Sequence, residues 1–157
     1  MHAQFAYVAN SGDNTVSGYV IDPVTGALKG IAGSPFLAGA EPNSVAVDPS
    51  GKFAYVANLS GNTVSGYTIS PASGALTAIA GSPFAEDGSE PFSVAVDPSG
   101  KFAYVANMGG NVSGYYDQPG HRGAHAHRRF AVRCGGLAQV CGGGPERQVR
   151  LCSEFQW

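Results

Sequence analysis

Three sets of residues carry side chains able to do chemistry. His121, His125 and His127 with Cys134, Cys141 and Cys152 are of the types that ligate soft metals or pair as disulfides. Six Arg residues are interspersed with them and suit a nucleic-acid backbone. Glu41, Asn43 and Glu90 stand just before a short apolar run that occurs twice, where carboxylate and amide groups could hold a polar ligand or simply end a loop in solvent. Asp48 with Lys52, repeated as Asp97 with Lys101, brackets a turn, a spacing that suits a local hydrogen bond or a weak surface ion pair better than catalysis. The serines offer no nucleophile, because there is no G-x-S-x-G elbow and His2 is the only His before residue 116. No phosphate-binding Gly loop or HExxH pair occurs, and no metal or other cofactor is expected. Asn58-Leu59-Ser60 and Asn111-Val112-Ser113 match a glycosylation sequon, a pattern short enough to arise by chance in turn-rich sequence.

What positions these residues is a repeat. FAYVAN occurs at Phe5–Asn10, Phe53–Asn58 and Phe102–Asn107, inside near-copied units of 48 or 49 residues that start near 1, 41 and 90. A fixed period of this size marks a repeat architecture. Within a unit every signal is strand or turn. Ser44–Asp48 is a short apolar run for a strand buried on both faces. Asp48-Pro49-Ser50-Gly51 is a turn, and Phe53–Asn58 alternates its faces as a second strand. Ser60-Gly61-Asn62 turns again into a third strand, Thr63–Ser70. Pro71-Ala72-Ser73-Gly74 leads to a more solvent-facing fourth, Ala75–Ala80. Gly81-Ser82-Pro83-Phe84 is read as the passage to the next unit. Four short antiparallel strands repeated in this way predict an all-β chain, a partial β-propeller. A β-sandwich does not copy its strands so closely, and no segment keeps a helical apolar period. In a propeller Glu41, Asn43 and Glu90 precede the innermost strands at a channel mouth, while Phe53, Tyr55, Phe102 and Tyr104 pack between blades.

The net charge of −2 hides an asymmetry. Residues 1–115 hold three Lys against eight acids, and this acidic balance argues against nucleic acid. Residues 116–157 hold every Arg, every Cys, the only Trp and three of the four His. Moving the reading frame of this tail one base downstream, with permitted codons, turns Gly120–Arg133 into ATGALTPTAGSPFA. Val140–Phe155 becomes SVAVDPSGKFAYVAN, identical over fifteen residues to the units at Ser44 and Ser93. Residues from about Tyr116 onward are therefore read as a frameshifted translation of the next blade, an irregular or disordered, non-native segment, and its His, Cys and Arg chemistry is set aside. No 18-residue apolar stretch exists, so no membrane-spanning helix is expected. The chain opens at the second strand of a unit without signal-peptide pattern, which reads as a truncated beginning and leaves the compartment of a parent protein unassigned.

With SVAVDPSGKFAYVAN followed by GNTVSGY, residues 1–115 resemble the YVTN-type β-propeller repeat. They are most similar to the bacterial lactonase-like proteins related to 6-phosphogluconolactonase, in which seven four-stranded blades circle a channel. The resemblance implies hydrolysis of a sugar lactone at the channel mouth by polar residues from several blades, and a small sugar-lactone or protein ligand for a full-length parent. It carries no family catalytic residue onto a position of this chain. With about 2.3 blades the chain as written is expected to be inactive, and to need further blades or self-association to cover its sheets. The alternative is a non-catalytic scaffold or ligand- or protein-binding propeller at the cell surface.

Overall fold

The computed structural model describes residues 4–86, 90–116, 130–133, 139–141 and 150–152. His2, His121, His125, His127 and Cys134 lie outside them, and with them most of the segment read as frameshifted.

Each unit folds as one antiparallel sheet in chain order. The first contains β1 (Gln4–Asn10), β2 (Thr15–Ile21), β3 (Leu28–Gly30) and β4 (Phe36–Leu37). The second contains β5 (Pro42–Val47), β6 (Phe53–Asn58), β7 (Thr63–Ile69), β8 (Leu76–Ala78) and β9 (Phe84–Ala85). The third contains β10 (Pro91–Val96), β11 (Phe102–Asn107), β12 (Asn111–Tyr116) and β13 (Phe130–Arg133). Within the tail, β14 (Gln139–Cys141) and β15 (Arg150–Cys152) form a two-stranded ribbon, and β13 pairs with β12. The meander of four short strands is the blade expected of the repeat.

Between β5 and β6 the turn is organised by Asp48. One carboxylate oxygen accepts the amides of Lys52 at 2.8 Å and Phe53 at 2.7 Å, while the other accepts the Ser50 amide at 3.0 Å and the Ser50 hydroxyl. Asp97 accepts Phe102 at 2.8 Å and Ser99 at 3.0 Å in the equivalent turn. So Asp48 meets Lys52 through its backbone N–H, the local bond the spacing suggested. Gly51 closes the turn at φ 69°, a left-handed conformation that glycine takes without a Cβ penalty.

The outer edge differs from the single strand expected over Ala75–Ala80. Three residues, Leu76–Ala78, pair with Tyr67–Ile69, and after the Gly-Ser-Pro turn Phe84 and Ala85 return to pair with Val64 and Thr63. The gap between these halves falls at Gly66. Its carbonyl accepts Ile79 N–H at 3.0 Å and its N–H donates to Ser82 Oγ at 2.9 Å. Gly18 is bridged by Ile31 and Ser34 in the same way at 2.9 Å each. A Cβ on Gly66 would come within 3.1 Å of both Ile79 and Phe84, which explains glycine inside a strand.

Sheets pack face to face. Between the first two lie Val16, Ala54, Val56, Tyr67, Ile69 and Leu76, with Phe5, Tyr7 and Phe36 against them. Between the second and third lie Ala57, Val64, Val94, Ala103, Val105 and Tyr115, flanked by Tyr55 and Phe84. Aromatic rings of one blade thus rest on the small and branched residues of the next. FAYVAN is apolar on both faces because both faces of a middle blade are covered.

Candidate functional site

The end of the blades that holds the inter-blade connections is built from three repeated hydrogen-bond devices. The first stands inside the blade. Asn58, fully buried at the end of β6, donates to Thr63 Oγ1 at 3.0 Å and Ser65 Oγ at 2.9 Å, and its Oδ1 accepts Gly39 N–H at 3.2 Å. Asn10 makes the same pair of bonds to Thr15 and Ser17 at 3.0 and 2.8 Å, and Asn107 donates to Ser113 at 2.9 Å. An amide suits the place because it donates and accepts at once.

The second device joins blades. Asn14 and Asn62 turn the chain at φ 56° and 47°, and their carbonyl oxygens accept Ala38 and Glu86 N–H at 2.9 and 2.6 Å. Their side-chain oxygens accept Glu41 N–H at 2.8 Å and Glu90 N–H at 3.0 Å. The Glu41 and Glu90 carbonyls then accept Leu59 and Met108 N–H, at 2.8 and 3.0 Å. Each glutamate is thereby held in left-handed backbone, φ 52° and 48°, between the loop of one blade and the loop of the next. Both carboxylates are exposed, and Ser60 Oγ donates to that of Glu41.

The third lies along the innermost strands. A register shift between Pro42 and Ser44 places Asn43 in a bulge, matched by Phe92 between Pro91 and Ser93. Asn43 Nδ2 donates to Phe92 O at 2.9 Å, and Val94 N–H donates to Ser44 Oγ at 3.2 Å. Glu41, Asn43 and Glu90 thus share one end of the blades, one glutamate at the same position in each of two units. Asn43 is occupied as a cross-blade brace.

Two features of this end were not singled out from the motifs. Glu86 is buried in the second seam, where its carboxylate accepts Ser113 Oγ at 2.9 Å and the Tyr115 hydroxyl. In the first seam the same tyrosine position, Tyr67, donates instead to the Leu37 carbonyl at 2.6 Å. A carboxylate therefore replaces a backbone acceptor in one copy of an otherwise repeated contact. The Asn at the end of each FAYVAN was the second signal, readable from its invariance among the units together with the Ser of each VSGY. Burial excludes Asn58 as a glycosylation acceptor.

At the opposite end of the blades a cleft of about 260 Å³ is lined by Phe5, Tyr7, Val47, Ser50, Gly51, Ile69 and Pro71. Burial pushes the Tyr7 hydroxyl up to about 12, so it stays protonated and donates to Gly74 O at 2.6 Å. Among the described residues no three His, Cys, Asp or Glu gather as a metal site. No helix among them is long and apolar enough to cross a membrane.

The family model of the lactonases, seven-bladed β-propellers, matches residues 2–85. The chain belongs to that family. No curated protein matches the sequence. Among solved structures, a protein of unknown function from Desulfotomaculum acetoxidans superposes with a TM-score of 0.70 at 22% identity, over 88% of this chain and 44% of its own. A Bacteroides uniformis protein named as a 6-phosphogluconolactonase gives 0.70 at 16% identity, over 88% and 41%. The periplasmic gluconolactonase of Pseudomonas aeruginosa gives 0.66 at 21% identity, over 95% and 39%. At these identities the likeness is one of fold. This lactonase-family chain spans about two fifths of the length of these relatives.

Proposed function

We propose that this chain carries the sugar-lactone-binding scaffold of a lactonase-type propeller and that these 157 residues alone do not hydrolyse the lactone. The observation that carries the reading is the pair Glu41 and Glu90, exposed carboxylates repeated blade by blade at the connection end. A carboxylate accepts hydrogen bonds from sugar hydroxyls, and it can take a proton from the water that attacks a lactone carbonyl. Hydrolysis needs a second element, a donor for the oxyanion that forms on that carbonyl. Lys52 and Lys101 sit in the turns at the opposite end, Lys29 lies on outer strand β3, and every Arg of the chain lies after Tyr116. On this reading the carboxylates are the base, and among the described residues no lysine stands beside them as an electrophilic partner. Support for the substrate class comes from the family and from the lactonases among the structural relatives.

The near-identity of the units favours a second reading, a non-catalytic repeat scaffold that presents equivalent loops to a protein. The frame-shifted match in the tail supports the further proposal that residues from about Tyr116 are the next blade read out of frame. Titrating glucono-δ-lactone while following ligand line broadening separates the first two. Binding that saturates and is lost in the Glu41→Gln/Glu90→Gln chain, with no acid released above a heat-denatured sample, is the expected outcome. Equal broadening by both chains contradicts the lactone assignment and leaves the scaffold reading.

A further inference from the structure

The second and third units are near-copies, so their departures from each other show where one seam is made unlike the next. Residues 41–58 and 90–107 differ at a single position, Asn43 against Phe92. The next departure is the loop that follows. In the second blade it is Leu59-Ser60-Gly61-Asn62, because Asn58 pairs with Thr63. In the third it is one residue shorter, Met108-Gly109-Gly110, because Asn107 pairs with Asn111. The first-blade loop, Ser11-Gly12-Asp13-Asn14, has the longer form, with glycine at the place of Ser60. Of these loops only the second puts a hydroxyl at this point.

The fold aims that hydroxyl. Leu59 N–H donates to the Glu41 carbonyl at 2.8 Å, and Gly61 N–H to the Ala40 carbonyl at 3.1 Å. Ser60 stands between these two bonds, so its backbone is fixed against the connection from the first blade. A Cβ on Gly61 would lie 3.1 Å from the Ala40 amide nitrogen, so closely do loop and connection approach. From this place Ser60 Oγ donates to Glu41 Oε2, while no described residue donates to Oε1. Asn14 Oδ1 accepts Glu41 N–H at 2.8 Å from the other side. Glu41 is thus held at its backbone and at its carboxylate. Glu90 keeps the backbone half of this arrangement, its N–H on Asn62 and its carbonyl on Met108 N–H, but the loop beside it carries no hydroxyl.

We infer, on the lactone-binding reading above, that Ser60 is the positioning residue of Glu41 and makes that carboxylate the principal anchor of the sugar lactone. A flexible side chain loses rotamer freedom when it grips a ligand, and one ordered beforehand has already met that loss. The bond from the Ser60 hydroxyl is charge-assisted and orders Glu41 in the unliganded chain. Oε1 is left to accept a hydroxyl of the sugar. Glu90 lacks this preparation and takes the second, weaker place. Seams of equal backbone thereby acquire unequal carboxylates, as an asymmetric ligand requires.

The test titrates glucono-δ-lactone into the full chain and its variants and follows ligand line broadening. Ser60→Ala is expected to weaken binding about fivefold with unchanged circular dichroism, and Ser60→Thr, which restores the hydroxyl, to bind as the parent does. Glu41→Gln is expected to cost more affinity than Glu90→Gln. In a Glu41→Gly chain, whose remaining binding rests on Glu90, adding Ser60→Ala is expected to change nothing further. Unchanged affinity in Ser60→Ala overturns the inference, and leaves the lactone reading standing where the Glu41→Gln/Glu90→Gln chain has lost binding. A loss shared by Ser60→Ala and Ser60→Thr, or one that persists without the Glu41 side chain, makes Ser60 structural and overturns it as well. A parent chain without saturable binding overturns both readings.

Discussion

Asn58 shows how one side chain serves both a strand end and a blade junction. It satisfies two hydroxyls of its own blade and a backbone N–H of the connection arriving from the blade before. Truncation to Ala leaves these groups buried without their partner, so Asn58→Ala is expected to cost about 2–3 kcal/mol in urea unfolding. Asn10→Ala, at a half-buried copy of the same network, is expected to cost about 1 kcal/mol because water can replace the lost bonds. Equal losses at the two positions would contradict the role assigned to burial. Glu41 presents the opposite balance. Its left-handed φ costs a side-chain-bearing residue about 1–2 kcal/mol, which glycine avoids. Glu41→Gly is therefore expected to raise stability by about 1 kcal/mol in thermal unfolding while weakening lactone binding. A loss of stability would make the carboxylate structural. The position of Glu41 before an innermost strand was legible in the repeat. Its backbone conformation was not, since left-handed glutamate has no sequence signature and follows from the Asn14 clamp.

At the scale of the element, the turns explain more of the blade than the strands do. Burial raises the Asp48 and Asp97 carboxyls, but the hydroxyl and amide donors around them outweigh it and leave both below the ordinary carboxylate value. Such a group is more acidic folded than unfolded. Its contribution is complete above the unfolded pKa of about 3.9 and is lost as pH falls through the folded pKa. Thermal midpoints of the native chain should therefore fall below about pH 4, and the Asp48→Asn/Asp97→Asn chain should show a shallower acid decline from a lower starting value. A parallel decline in both would assign acid sensitivity elsewhere. Gly66→Ala is expected to cost about 1–3 kcal/mol, as Ile79 and Phe84 must yield to the new methyl group. Inner strands and turns could be read because β-branched runs and D-P-S-G each have one local solution. The divided outer edge could not. It depends on Ser82 reaching back across the sheet to Gly66, and nothing in the four letters GSPF specifies that return.

For the whole molecule, the repeat period carried the architecture, because a unit copied every 48 or 49 residues makes the same seam each time it is stacked. Function was less legible for the same reason. Copies that agree in Asn, Ser and Asp show what a blade needs, and a lactone site is asymmetric. Only local departures such as Glu86 distinguish one seam from the next. The out-of-frame reading of the tail makes its own prediction. The coding nucleotides from about codon 116 should continue the repeat in the next frame, and a coding sequence without that continuation contradicts it. The central claim, that this lactonase-family chain binds a sugar lactone without by itself hydrolysing it, is tested most directly by acid release from glucono-δ-lactone in a weakly buffered indicator solution. The purified chain is predicted to match the spontaneous rate and its own heat-denatured control. Saturable, heat-sensitive acid release above both would contradict it.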